Sequence, residues 1–135
     1  MTATQKRPVK PEVRRHGHAP AEAVDAALPF LRFHHSEELR ARTLAVLAKV
    51  EHAPDPVRHR EALADVAVAL ADAGIDCFFM QSLKRANVGF IIQASATVGM
   101  AGGMQVIGTV IRNIIERMNG PQLISVCASL RQFMR

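Results

Sequence analysis

Large apolar residues recur every three or four positions along most of this chain. The spacing holds over residues 36–51, 56–73, 104–118 and 121–134, and it matches the period of an α-helix. Polar residues occupy the intervening positions, so each segment has one apolar face to bury. No two β-branched runs are joined by a hairpin turn. The pattern therefore predicts an all-α fold, a compact helical bundle of four to six helices.

Capping residues, prolines and glycines predict where the helices begin and end. Ser36 is placed to cap the first helix, and the prolines within residues 53–56 separate it from the second. Gly74 is predicted to end the second helix in a left-handed conformation. The glycines within residues 99–103 predict a break in a later apolar stretch, and residues 119–121 (Asn-Gly-Pro) separate the last two helices.

Length and composition are those of a single globular domain. The 135 residues are 49% hydrophobic and 21% charged. Residues 1–20 are proline-rich and basic and predict a disordered arm, which leaves residues 21–135 for the helical domain. All six aromatic residues are Phe, which disfavours sugar-binding platforms and stacking on single-stranded nucleic acid. Cys77 and Cys127 are too few for a disulfide framework and fall on predicted apolar faces.

The net charge of +5 is unevenly distributed. Residues 1–20 carry a net +4, residues 21–76 carry −4, and residues 77–135 carry +5 with a single carboxylate. Such a basic block fits either an anionic partner or internal pairing with the acidic middle block. The near-equal and opposite charges favour internal pairing. The candidate anion contacts are Lys84, Arg85, Arg112 and Arg117.

Residues 86–111 contain no charge, which is a span long enough to cross a bilayer. Many of these residues are small or polar, and the expected glycine break would leave two pieces that are each too short to cross. We therefore favour close-packed helices over a membrane segment. Small residues recur every four positions and allow another backbone to approach, either within the chain or from a second copy. The interface candidates are Ser95, Gly99 and Gly103 on this face, with Phe78, Phe79 and Phe90.

No coherent catalytic or metal-binding set is visible in the sequence. The predicted apolar helix faces lack the carboxylates and histidines of a bundle metal site, so no metal or cofactor is expected. The spacing of Gly103 and Gly108 has the outline of a phosphate-binding loop but lacks its lysine. Residues 66–85 have helix-turn-helix proportions, but Phe78 and Phe79 stand where polar side chains would read bases. Sequence-specific nucleic-acid binding is therefore not expected.

These observations predict a non-enzymatic interaction or regulatory module that self-associates, with a dimer favoured. The lack of an apolar leader and of paired cysteines points to the cytoplasm. One alternative is a peripheral membrane protein that uses its acid-poor C-terminal half. Another is a small-ligand-binding protein or an enzyme, with a pocket formed by residues from separate helices.

Overall fold

The structure, a computed structural model, describes Pro29 and residues 31–134. A 3-10 turn (Pro56–His59) comes directly before the second α-helix, Arg60–Ile75. A π-helical turn (Asp76–Met80) connects that helix to the third, Gln81–Arg85. No strand occurs in the described part, and the predicted all-α fold is confirmed. The predicted arm over residues 1–20 and the first residues of the predicted domain lie outside the described residues. The α-helices are α1 (Glu37–His52), α2 (Arg60–Ile75), α3 (Gln81–Arg85), α4 (Phe90–Glu116) and α5 (Gly120–Phe133).

Two helix starts are formed by the residues that the sequence indicated. The Ser36 side chain accepts a hydrogen bond from the backbone N–H of Leu39 at 3.0 Å and caps α1. At α5, the Asn119 side chain accepts from the Gln122 N–H at 3.0 Å, and the Gln122 side chain accepts from the Asn119 N–H at 2.9 Å. This reciprocal capping box satisfies two backbone donors that have no partner within the helix. Both predicted boundaries are confirmed.

The predicted helix end at Gly74 is wrong. The chain remains helical through Ile75 and the π-helical turn, and no described glycine has a positive φ. Gly74 is buried, and a Cβ at this position would lie 3.8 Å from the Phe33 ring. Glycine inside a helix costs only about 1 kcal/mol relative to alanine, so packing of this turn outweighs its preference for a helix end.

The chain reverses direction at residues 86–89, well before the predicted glycine break. Asn87 has a φ of 52°, the left-handed conformation that asparagine tolerates better than most residues, and Gly89 precedes α4. The predicted break within residues 99–103 is wrong, because α4 is continuous from Phe90 to Glu116. Helical hydrogen bonds do not need a Cβ, so glycines weaken a helix without interrupting it.

The core lies where α1, α2 and α5 meet the C-terminal half of α4. The helix α4 packs mainly against α2, and α5 packs mainly against α1. Contacts of Arg112 with Asp65 and of Gly108 with Val68 show that α2 and α4 run antiparallel. The fully or nearly fully buried apolar residues of this cluster are Leu47, Val50, Leu63, Ala64, Val66, Ile115, Leu123 and Cys127.

Two arginines hold the C-terminal ends of other helices. The Arg60 guanidinium donates to the carbonyl of Met118, just after α4, with an Nε–O distance of 3.0 Å. The Arg40 guanidinium donates to the carbonyl of Met134, just after α5. A cation at a helix C-terminus complements the helix dipole and satisfies a free carbonyl. These contacts tie the ends of α4 and α5 to α2 and α1.

Candidate functional site

The helical rod formed by α2, the π-helical turn and α3 pairs with α4 as an antiparallel hairpin. The root of the hairpin, around Leu63 and Ile115, contributes to the core, but no residue in an 18-residue apolar window of α4 is fully buried. In the described part of the chain, α4 alone is long and apolar enough to cross a bilayer, with a mean hydropathy of 1.3 over that window. Our expectation that a break would divide this stretch is wrong, since α4 is one helix of 27 residues.

One side of α4, here called the outward face, is apolar, small and exposed. Successive residues of an α-helix differ in direction by about 100° around its axis, so the members of this face fall within an arc of about 140°. Val98 is 74% exposed and Val106 is 65% exposed. A shallow depression of about 370 Å³, lined by Gln105, Val106, Thr109 and Val110, opens on this side. The outward face consists of Ile91, Ser95, Val98, Gly99, Gly102, Gly103, Val106 and Val110.

The glycines of the outward face do not serve packing within the described chain. A Cβ added at Gly99, Gly102 or Gly103 would meet nothing within 4 Å. By contrast, a Cβ at Gly108 would lie 3.5 Å from Val68 on α2. Of the two alternatives, a tight crossing within the chain therefore finds no support among the described residues. The alternative of a second backbone from outside the chain remains a prediction.

The three candidate phenylalanines lie at two levels of the hairpin. Phe78 packs edge-on against Phe33, with ring centroids 5.8 Å apart, and remains 43% exposed; Phe79 is 47% exposed. Gly108 faces Val68, and Val98 and Phe78 each lie ten residues from this pair in the direction of the chain reversal. Because each helix rises by about the same amount per residue, Phe78 and Val98 lie at about the same level. Phe90 lies at the far end of the hairpin and is 85% exposed. The structure thus places Phe78 and Phe79 level with the middle of α4 and places Phe90 at its N-terminal end, apart from them.

The candidate anion contacts also divide into two groups. Arg112 is engaged internally, because its guanidinium lies 2.6 Å from the Asp65 carboxylate. Lys84, Arg85 and Arg117 are exposed and form no ion pair within the described residues. The predicted pairing between the basic C-terminal block and the acidic middle block is therefore present at Arg112. Among the described residues it is absent at Lys84, Arg85 and Arg117.

A second basic residue of the C-terminal block also pairs internally. Arg131 on α5 binds the Glu51 carboxylate of α1 through two hydrogen bonds, at 3.1 Å and 2.9 Å. The hydrogen bonds with Glu51 raise the pKa of the Arg131 guanidinium, so this side chain stays positively charged throughout the physiological range. This contact fixes α5 on α1, beside the buried Cys127.

A depression lies at the root of the hairpin. It measures about 440 Å³ and is open to solvent. Arg60 and Arg112 at its wall already bind Met118 and Asp65. The described residues contain no group of three or more His, Cys, Asp or Glu side chains that could hold a metal ion. The depression is lined by Val57, Arg58, Arg60, Glu61, Ala64, Arg112 and Glu116.

The two cysteines lie in different environments. Burial, with a smaller contribution from the Glu51 carboxylate, raises the pKa of the Cys127 thiol from its ordinary value of 9.0 to about 11. Cys127 is completely buried, whereas Cys77 in the π-helical turn is only partly buried. A protonated, enclosed thiol is a poor nucleophile. Cys127 therefore acts as a small core residue.

The raised pKa of Cys127 predicts a pH dependence of stability. Below pH 9 the thiol is protonated in both the folded and the unfolded states. Between pH 9 and pH 11 the unfolded state ionises first, so the free energy of unfolding should fall by about 2–3 kcal/mol, at about 1.36 kcal/mol per pKa unit. Urea unfolding of the wild type and Cys127→Ala over this range measures the effect. The free energy of unfolding of Cys127→Ala should fall less between pH 9 and pH 11 than that of the wild type. An equal fall in both proteins would contradict the prediction.

The larger residues of the outward face were not predicted from the sequence. The predicted apolar stripe over residues 104–118 includes Ile111, Ile115 and Met118, which lie in or against the core, and Ile107, which is 38% exposed. Val98, Val106 and Val110 were not singled out, although they surround the exposed glycines. One feature of the sequence could have indicated these residues, because the segment that forms α4 is apolar around most of the helix circumference. Such a helix has an apolar side left over after it packs on one neighbour.

No family model, curated protein or solved structure matches the chain. The function must therefore be inferred from the surface of the described residues.

Proposed function

We propose that this protein is a non-enzymatic, self-associating helical module, and that two copies pair through the outward face of α4. The observation that supports this proposal is the set of three glycines inside one helix, Gly99, Gly102 and Gly103, at which an added Cβ would meet nothing within 4 Å in the described chain. Each costs about 1 kcal/mol of helix stability relative to alanine. Close approach of a second helix gives these glycines a role that the single chain does not.

The amount of exposed apolar surface also favours an interface. A buried aliphatic side chain removes roughly 60–120 Å² from water, at about 25 cal/mol per Å². Five large apolar side chains lie within the arc of the outward face and are exposed by half or more, so together they amount to a few hundred Å². This is comparable to the largest apolar patch on a typical monomer, about 300–600 Å², and such a patch often has a function. The five are Ile91, Ile92, Val98, Val106 and Val110.

The charge pattern favours a second copy as the partner. In a two-fold symmetric dimer each face meets an identical face, so a charged face repels itself. No charged residue occurs between Arg85 and Arg112, and the outward face lies within that stretch. The face is therefore compatible with its own copy. Ser95, Thr109 and Asn113 along its length supply uncharged polar groups.

Light scattering at tens of micromolar tests the proposal. The wild type should scatter as a species of at least twice the 14.7 kDa chain mass. Val106→Glu should shift it to the monomer, because a dimer would place two carboxylates in an apolar interface. Ser129→Glu, the same charge change at an exposed position of α5, should leave the mass unchanged. A wild type that remains monomeric at these concentrations would overturn the proposal.

A further inference from the structure

We infer that the tip of the hairpin, residues 83–92, docks on the surface of a lipid bilayer with anionic headgroups. The tip is distinct from the proposed dimer face, apart from Ile91 and Ile92, which lie within the arc of that face. It combines the chain reversal with two exposed cations and three consecutive exposed apolar residues. The inference does not depend on self-association.

The three apolar residues point in directions that a single helical partner could not cover. Phe90, Ile91 and Ile92 are 85%, 79% and 56% exposed. Successive helix residues differ by about 100° in direction, so the three span about 200° of the circumference. A helix packing on a neighbour buries a narrower stripe, with a width of the order of 100°. A fluid medium that surrounds the tip can cover all three, as the interfacial region of a bilayer does for apolar side chains inserted about 5–10 Å.

The charges next to these residues specify an anionic surface. Lys84 and Arg85 end α3, are exposed and form no ion pair in the described residues. No carboxylate occurs in residues 77–115, and Asp76 is eight residues from Lys84, about 12 Å along the helix. That distance is about one Debye length at 0.1 M salt, so no carboxylate of the described residues closely compensates the positive potential at the tip. Lysine and arginine stems can lie along the apolar surface while their charged ends reach lipid phosphates.

Vesicle co-sedimentation with the full chain tests this inference. We compare phosphatidylcholine vesicles with vesicles that also contain about 30% phosphatidylserine. Binding should require the anionic lipid and should weaken steeply between 0.1 M and 0.5 M salt. Lys84→Glu/Arg85→Glu should reduce the partition coefficient at least tenfold, since each cation near such a surface contributes about fivefold. Phe90→Ser should also weaken binding, because the bilayer would no longer cover its ring.

Matched variants separate the tip from the other basic segments. Arg14→Glu/Arg15→Glu makes the same charge change in the N-terminal segment, and Arg117→Glu removes an exposed cation at the opposite end of the hairpin. Both should retain nearly full binding, and circular dichroism should show unchanged helix content for all variants. The inference is overturned if the anionic vesicles do not bind the protein, if the Arg14/Arg15 variant loses binding instead, or if duplex DNA is bound and vesicles are not.

The same variants distinguish this inference from the proposed dimer. Lys84→Glu/Arg85→Glu should lose vesicle binding and keep the wild-type mass in light scattering. Val106→Glu should lose the dimer and keep the salt-sensitive part of vesicle binding, since both tip cations remain. Loss of both properties in each variant would show one shared surface and would overturn the assignment of docking to the tip.

Discussion

Replacing Gly99 with Leu should weaken self-association by at least tenfold without destabilising the monomer. Space around Gly99 is open in the chain, so a leucine meets nothing there and gains helix propensity of the order of 0.5–1 kcal/mol. In the dimer the same side chain would hold two backbones apart, and such overpacking costs about 1–3 kcal/mol. Gly103→Leu should behave in the same way. Sedimentation equilibrium gives the dissociation constant, and urea unfolding of the dilute monomer gives its stability.

A control variant shows whether position or bulk is responsible. Ala101 is exposed on the flank of α4, outside the arc of the outward face. Ala101→Leu should leave the dissociation constant within about twofold of the wild type. If Gly99→Leu and Gly103→Leu both dimerise normally, the outward face is not the interface. If either lowers monomer stability by more than 1 kcal/mol, an unrecognised contact within the chain occupies that space.

Leu63→Ala should lower the free energy of unfolding by about 2–5 kcal/mol. Leu63 on α2 is completely buried in the cluster that joins α1, α2, α4 and α5. Its truncation removes apolar burial and leaves a cavity that the surrounding helices cannot fully close. For a domain with a total stability of the order of 5–15 kcal/mol, this loss brings the protein near its unfolding threshold. Urea unfolding monitored by circular dichroism measures the change.

Val98→Ala is the matched apolar truncation outside the core. Val98 is 74% exposed, so monomer stability should change by no more than about 0.5 kcal/mol, although dimerisation should weaken. Equal losses for Leu63→Ala and Val98→Ala would mean that the outer half of α4 is packed within the monomer. That result would contradict the exposed hairpin on which both proposals depend.

The candidate interface was only partly predictable from the sequence. Four-residue spacing revealed that Ser95, Gly99 and Gly103 share one side of a helix. The same spacing fits a crossing inside the chain and a face turned outwards, so their exposure could not be predicted. Val98 and Val106 were missed for a related reason: α4 is apolar on several sides, and periodicity does not show which side α2 covers. The exposed tip at Phe90 depends on the chain reversal at residues 86–89, which was not predicted from the sequence.

Local chemistry accounts for what the sequence predicted correctly. The all-α class follows from apolar spacing, and the starts at Ser36 and Asn119 follow from side chains that bond their own nearby backbone. Such interactions span three or four residues and operate in any tertiary context. The reversal at residues 86–89 and the passage of helices through Gly74 and Gly99 required the tertiary structure. Glycine costs a helix only about 1 kcal/mol, a preference that packing between distant residues outweighs.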